Sequence, residues 1–263
     1  MMEDSIVTER AGPLGWLIFN NPKKHNAISM DMYRKAIAGV DGLLADPSIR
    51  LVVLRGAGER AFVSGGDIST FATQRSTGRQ RQDYDDLSEQ FRNRLLDCTK
   101  PTIAMIRGYC LGAGMSLALS CDLRICSDDA KFGIPAARIG TGFGARGELD
   151  LLVDLVGPAV AKDILFTGRR CGAEEALRLG LVNTVLAAQE LHGHVQKYAE
   201  TIAANAPLSI SAAKGIIALR TGRLSSQQAQ VRQRFIDACF ESQDYIEGRT
   251  AFLEKRNPRF TGR

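Results

Sequence analysis

The chain has 263 residues, a formal net charge of +5, 44% hydrophobic and 24% charged residues. That composition fits one large globular α/β domain, or a domain with an appendage, and is too mildly basic for a dedicated nucleic-acid binder. No block of Lys and Arg interleaved with aromatics occurs, and the apolar runs are short and broken by glycine or charge, so no membrane span is expected. The opening "MMEDSIVTER" carries acids and no apolar signal-peptide core, which makes the cytoplasm the expected compartment.

In chain order, "GWLIFN" (15–20) reads as a strand. "SMDMYRKAIAGVDGLLAD" (29–46) reads as an amphipathic helix capped by Ser29, with Asp31 in its first turn and Ile37, Val40 and Leu44 on one face. "RLVVLRG" (50–56) is a second strand, and another strand ends in "AFVSGGDIST" (61–70) before a helical stretch. Residues 72–94 are polar and read as a loop running into a surface helix. "PTIAMIRG" (101–108) and "CDLRICS" (121–127) are strands on either side of "GYCLGAGMSLALSCD", whose small residues lead into a buried helix. Strands alternating with helices predict crossover connections. From about residue 196 strand signals vanish, so residues 1–195 form the expected core and 196–263 a helical assembly segment.

The six cysteines form no CxxC pair and the three histidines no ligand cluster, so reduced core thiols and no metal site are expected. His192 and His194 fit a solvated helix start. Cys110 stands beside the second glycine group, but a nucleophilic thiol needs a base partner that the sequence does not supply.

Two stretches put backbone without side chains at a strand-to-helix junction: Ser64-Gly65-Gly66-Asp67, and Gly108 through Gly112-Ala113-Gly114. Unpaired N–H groups point outward at such junctions, and two of them suggest a pair of donors aimed at one oxygen. Close strand–helix packing is the other reading of either site alone. A dinucleotide fingerprint fits poorly, because Leu117 occupies its third glycine position and no acid follows at the end of a second strand. A P-loop is excluded by the absence of GK[ST].

"NPKKHNAIS" (21–29), "AFVSGGDIS" (61–69), "KPTIAMIRGYCLGAGMSLALSCDLRICSDDAKFGIPAARIGTGFG" (100–144), "GRRCGAEEALRLGLVNTV" (168–185) and "EGRTAFLEKRNPRF" (247–260) together resemble, in order and spacing, the crotonase superfamily of enoyl-CoA hydratases and isomerases. The resemblance covers essentially the whole chain. It implies an α/β spiral of ββα units with a C-terminal helical trimerisation segment, a trimer or dimer of trimers, and an acyl-CoA thioester as substrate in fatty acid metabolism, with no tightly bound cofactor. It further implies that the N–H groups of Gly66 and Ala113 stabilise the oxyanion of a thioester enolate. Lys24, His25, Ser64, Asp67 and Ile68 would line the CoA, with Lys255 and Arg256 as phosphate partners reaching a neighbouring subunit. For each basic residue a solvated surface charge is the alternative.

The two glutamates of a hydratase would fall at Ser116 and Ala136, and neither residue is a general base. The loop Thr141-Gly142-Phe143-Gly144 supplies no acid either. Glu148 is the nearest candidate acid, with favourable first-turn placement in a helix as its other reading, and Ser116 could orient a water or simply pack. Expected, then, is an acyl-CoA lyase or isomerase whose reaction is decarboxylation, hydrolysis, isomerisation or an atypical hydration. The rival expectation is a catalytically silent CoA-binding or assembly homologue.

Overall fold

The computed structural model describes residues 5–67, 78–142, 148–219 and 226–263, with the side chains at 148, 226, 228 and 229 also outside the description. Strands β1 (Ser5–Ala11) and β2 (Leu14–Asn20) form an antiparallel hairpin. Helix α1 (Met30–Ala45) follows, with Ser29 Oγ accepting from the Met32 N–H as the sequence predicts. Its buried face is Met32, Ala36, Val40 and Leu43, joined by Tyr33, while Ile37 and Leu44 lie at the margin. Each of those two sits one residue, about 100°, round from a buried position.

The chain then alternates between two sheets. Strand β3 (Leu51–Gly56) joins a large sheet and β4 (Ala61–Val63) a small one, before helix α2 (Gly78–Asp97). β5 (Thr102–Ile106) returns to the large sheet, β6 (Tyr109–Leu111) to the small one, and helix α3 (Ala113–Leu119) closes that turn. β7 (Leu123–Ser127), β8 (Lys131–Gly133) and helix α4 (Ala136–Ile139) repeat the pattern. The result is a large sheet ordered β1-β2-β3-β5-β7-β10 and a small sheet ordered β4-β6-β8-β9. Helix α5 (Glu148–Thr167) breaks at Gly157, just before Pro158, and β9 (Cys171–Gly172), helix α6 (Ala173–Arg178) and β10 (Thr184–Leu186) complete the spiral. The expected loop at 72–77 lies outside the described residues; the helix expected beyond it is α2.

The central strands β2, β3 and β5 of the large sheet are buried on both faces, which is why they read as hydrophobic runs. Leu17, Phe19, Val52, Leu54, Ala104 and Ile106 face the core shared with α1. Their alternates Trp16, Ile18, Leu51, Val53, Ile103 and Met105 face helix α7 (Leu191–Ala203). Val195 and Ala199 of α7 are fully buried there, so the boundary expected at 195/196 cuts through a helix that covers the sheet. His192, on the exposed start of α7, stacks on Trp16 at 5.2 Å. Helices α8 (Pro207–Ala218), α9 (Ser226–Phe240) and α10 (Gln243–Leu253) follow. Among the described residues no helix is long and apolar enough to cross a membrane, and no cluster of His, Cys, Asp or Glu could hold a metal.

Candidate functional site

Strands β4, β6 and β8 run parallel and end at one edge of the small sheet. Their register pairs Val63 with Cys110, Cys110 with Phe132 and Leu111 with Gly133. The residues that follow each strand, 64–67, 112–116 and 134–136, are thereby brought side by side at the carboxyl ends of parallel strands, where α/β sheets bind ligands. Gly66, Ala113, Ser116 and Ala136, scattered in sequence, share this edge. Gly112 secures it by donating its N–H to Gly133 O at 2.8 Å.

The two glycine junctions touch. Gly65 has φ 121° and Gly112 φ 51°, and a Cβ on Gly112 would stand 3.7 Å from Gly65 Cα. Gly65 C=O accepts from the Ile28 N–H, and the Asp67 N–H donates to Ile28 O. Both flanking groups thus face Ile28, and the N–H of Gly66 between them points to the opposite side, as alternation along an extended chain requires. Ala113 opens α3, whose Ser116 N–H bonds back to Gly112 O. Among the described residues the N–H groups of Gly66 and Ala113 have no backbone acceptor.

The 21–28 loop is pinned against this edge by Asn26. Its side chain is fully buried, donates to Ala57 O and Ala61 O, and accepts from the Asn21 N–H. Ser64 adds two bonds, its N–H to His25 O and its hydroxyl to Lys24 O. Lys24 reaches across to the buried Asp67 carboxylate at 2.8 Å. Lys24, His25, Ser64 and Asp67 therefore form one group beside Gly66, while Ile68 lies outside the described residues. The His25 and Tyr109 rings meet at right angles, 5.7 Å between centres, and His25 Nδ1 is buried with no hydrogen-bond partner among the described residues.

Ser116 is buried, and its hydroxyl donates to Gly112 O at 3.3 Å. Ala136 begins α4 and packs partly against the core. Glu148 is the first residue of α5, and its side chain lies outside the described residues, as does the 143–147 segment. Burial pushes the Cys110 thiol well above its ordinary range, which keeps it protonated and removes it as a nucleophile. Cys121, Cys126 and Cys171 are buried too, and Cys98 and Cys239 are partly exposed.

A cavity of about 320 Å³ opens beside the same edge, over Leu111, Gly133 and Pro135. Arg138, Arg169 and Arg170 rim it, and sequence reading passed over all three because none falls in a glycine motif. At the other end of the chain, Arg256 is engaged by two carboxylates, Glu247 and Glu254. Those pairs hold the last ten residues back along α10, where a cavity of about 770 Å³ lies between helix and tail. Lys255 is exposed at φ 54°. Among the described residues no hydrogen bond or ion pair joins Lys255 or Arg256 to the Lys24–Asp67 group.

The sequence profile of the enoyl-CoA hydratase/isomerase family matches residues 11–263. A crotonyl-CoA hydratase of Syntrophomonas wolfei is 33% identical over 262 residues, covering 99% of either chain. A carnitinyl-CoA dehydratase of Proteus mirabilis is 38% identical over 269 residues, covering 100% of both. The crystal structure of an enoyl-CoA hydratase/carnithine racemase from Magnetospirillum magneticum superposes with a TM-score of 0.92 at 35% identity, over 100% of this chain and 97% of that one. With the two-sheet spiral and its C-terminal helices in place, this chain belongs to the enoyl-CoA hydratase/isomerase family of the crotonase superfamily, a family of acyl-CoA enzymes.

Proposed function

We propose that this chain processes an acyl-CoA thioester through an enolate whose oxygen is held by the N–H groups of Gly66 and Ala113. The observation that carries this reading is the pair of donors, without backbone acceptors among the described residues, on touching glycine junctions at one sheet edge. A preorganised donor of that kind contributes about 2.7–4 kcal/mol to transition-state stabilisation in acyl-transfer enzymes. The Lys24, His25, Ser64 and Asp67 group beside it supports a CoA-lining role for the 21–28 loop, and Ile68 completes that proposal. Lys255 is the tail's candidate for a phosphate; Arg256, held by Glu247 and Glu254, would have to exchange partners to serve as one.

The named relatives add and remove water across CoA thioesters, but Ser116 and Ala136 stand where the family resemblance puts the two glutamates of hydration. Ser116 is a hydroxyl bonded to its own helix, and Ala136 has no titratable group. We therefore favour a reaction that asks little of a general base. Decarboxylation generates the enolate by loss of CO₂ and needs only the oxyanion donors; hydrolysis, isomerisation and an atypical hydration with Glu148 as the acid are the alternatives. The reading carries with it a cytoplasmic homo-oligomer built through the C-terminal helices.

The test is turnover of enoyl-, malonyl- and β-ketoacyl-CoA by the full chain, wild type against Gly66→Pro, which removes one donor. A loss of about 100-fold or more in kcat with the fold retained is expected. Binding of every thioester with turnover of none would instead make the chain a silent CoA-binding homologue. Gain of crotonyl-CoA hydration in Ser116→Glu/Ala136→Glu would show that only the acids are lacking.

A further inference from the structure

We propose that Arg138 and Arg170 form an anion subsite in the 320 Å³ cavity, one that receives a carboxylate or phosphate group of the ligand. Three observations converge on it. First, the cavity's floor is apolar side chain and backbone, from Leu111, Gly133, Pro135 and Ile139, and among the described residues no carboxylate lines it. Its size is at the lower end of small-molecule sites. Second, the three rim arginines differ in how they are used. Arg169 is neutralised by Asp163 at 2.6 Å and Glu175 at 2.8 Å. The side chains of Arg138 and Arg170 have no ion pair and no hydrogen bond among the described residues.

Third, both unpaired side chains are held in place without their N–H forks being spent. Arg138 lays its stem on Gly168, where a Cβ would stand 2.7 Å from Arg138 Cγ and 2.9 Å from its Cδ. Any larger residue at 168 would lift the stem away. Arg170 rests its guanidinium over the Tyr109 ring at 5.3 Å, a contact that uses the face of the group and no N–H donor. Two unpaired guanidinium groups beside an apolar floor offer N–H forks suited to a carboxylate or phosphate, which can take two parallel N–H bonds from one fork. Neither arginine belongs to the loops assigned above to the oxyanion or the nucleotide. The inference goes beyond the proposed function and rests on it only for the identity of the ligand.

Such an anion has two sources on an acyl-CoA: the diphosphate of the CoA, or a carboxylate at the far end of the acyl group. Calorimetric titration of the full chain with butyryl-CoA, glutaryl-CoA, butyryl-pantetheine and glutaryl-pantetheine separates them. Arg138→Gln and Arg170→Gln should each weaken the responsive ligands about tenfold, with unchanged melting temperature. Loss for both CoA thioesters but neither pantetheine thioester assigns the subsite to the diphosphate. Loss for both glutaryl ligands alone assigns it to the acyl carboxylate. Wild-type affinity of the double variant for all four overturns the subsite and leaves the proposed function standing. Should the wild type bind no CoA thioester, the proposed function falls, and titration with pyrophosphate and with glutarate decides the subsite alone. Weaker binding of either by the double variant then upholds it, and equal or absent binding overturns it.

Discussion

Replacing Gly114 by alanine should damage this protein more than any other single methyl added to the α3 junction. The new Cβ would stand 2.0 Å from Val63 O, 2.8 Å from Val63 C and 2.9 Å from Val63 Cβ. Ordinary contact begins near 3.4 Å, and the opposing atoms belong largely to the backbone of β4, which is paired with β6 and cannot rotate away. The first turn of α3 must therefore back off by more than 1 Å. Overpacking of this kind costs about 1–3 kcal/mol, and a backbone obstacle puts this site at the upper end. At about 2–4 °C per kcal/mol for a chain of this size, the melting temperature should fall by about 6–12 °C. The same shift moves the Ala113 N–H, and a 1 Å misplacement of a catalytic group can cost about 100-fold in rate. The assay is thermal unfolding followed by acyl-CoA turnover well below the transition. Gly42→Ala is the control: Gly42 lies inside α1 with nothing within 4 Å of a built Cβ, so alanine should stabilise by about 0.5–1 kcal/mol with turnover unchanged. A Gly114→Ala protein that melts and turns over like wild type would refute the packing argument and the placement of Ala113 together.

Glu247 is held at about 2 by hydrogen bonds from the Arg256 guanidinium and the Arg259 N–H. A depressed folded-state value means its support for the docked tail is complete above the unfolded value of 4.5 and is lost as pH falls through about 2. Carboxyl ¹³C titration should find a midpoint near 2, whereas one near 4.5 would show the tail undocked. Burial pushes the thiols of Cys121 and Cys126 up to about 12. Ellman's reagent should therefore label Cys98 and Cys239 first in the native protein and all six only after unfolding; rapid labelling of four or more native thiols would contradict this core. Arg92 is 2% exposed, and its Nε and Nη2 have no hydrogen-bond partner among the described residues. Burying an unpaired guanidinium is costly, so Arg92→Met should match or exceed wild type in urea midpoint, and a drop would show that Arg92 has a stabilising partner.

Much of the large sheet was legible because its central strands are buried on both faces and long enough to show as apolar runs. Apart from β4 the small sheet was not, since β6, β8 and β9 have two or three residues each, too few for any period to appear. β1 was missed for a different reason: as an edge strand with exposed polar residues it shows little apolar content. Ser29 as a cap was readable from local chemistry, whereas the reach of the core to Ala203 depended on α7 folding back over Trp16 and Ile18, a contact nearly two hundred residues apart in sequence. In the candidate site, the two glycine stretches drew attention to 64–67 and 108–114, and the family resemblance singled out Gly66 and Ala113 within them. Their proximity is a product of the β4-β6 register, which no local pattern encodes. Asn26 as the loop's anchor and Arg138 and Arg170 as cavity groups became visible only once the strands were aligned. The engagement of Arg256 by Glu247 likewise depends on the tail reversing direction, which brings residues nine apart together.

The most direct test of the oxyanion account is the carbonyl stretch of a bound thioester, read by ¹³C=O-edited infrared difference spectroscopy of acyl-CoA on the wild type and on Gly66→Pro. Two N–H donors on one oxygen predict a downshifted band relative to free acyl-CoA, and a return toward the free frequency when the Gly66 donor is removed. A bound carbonyl at its solution frequency in the wild type, or a downshift that Gly66→Pro leaves intact, would contradict the account.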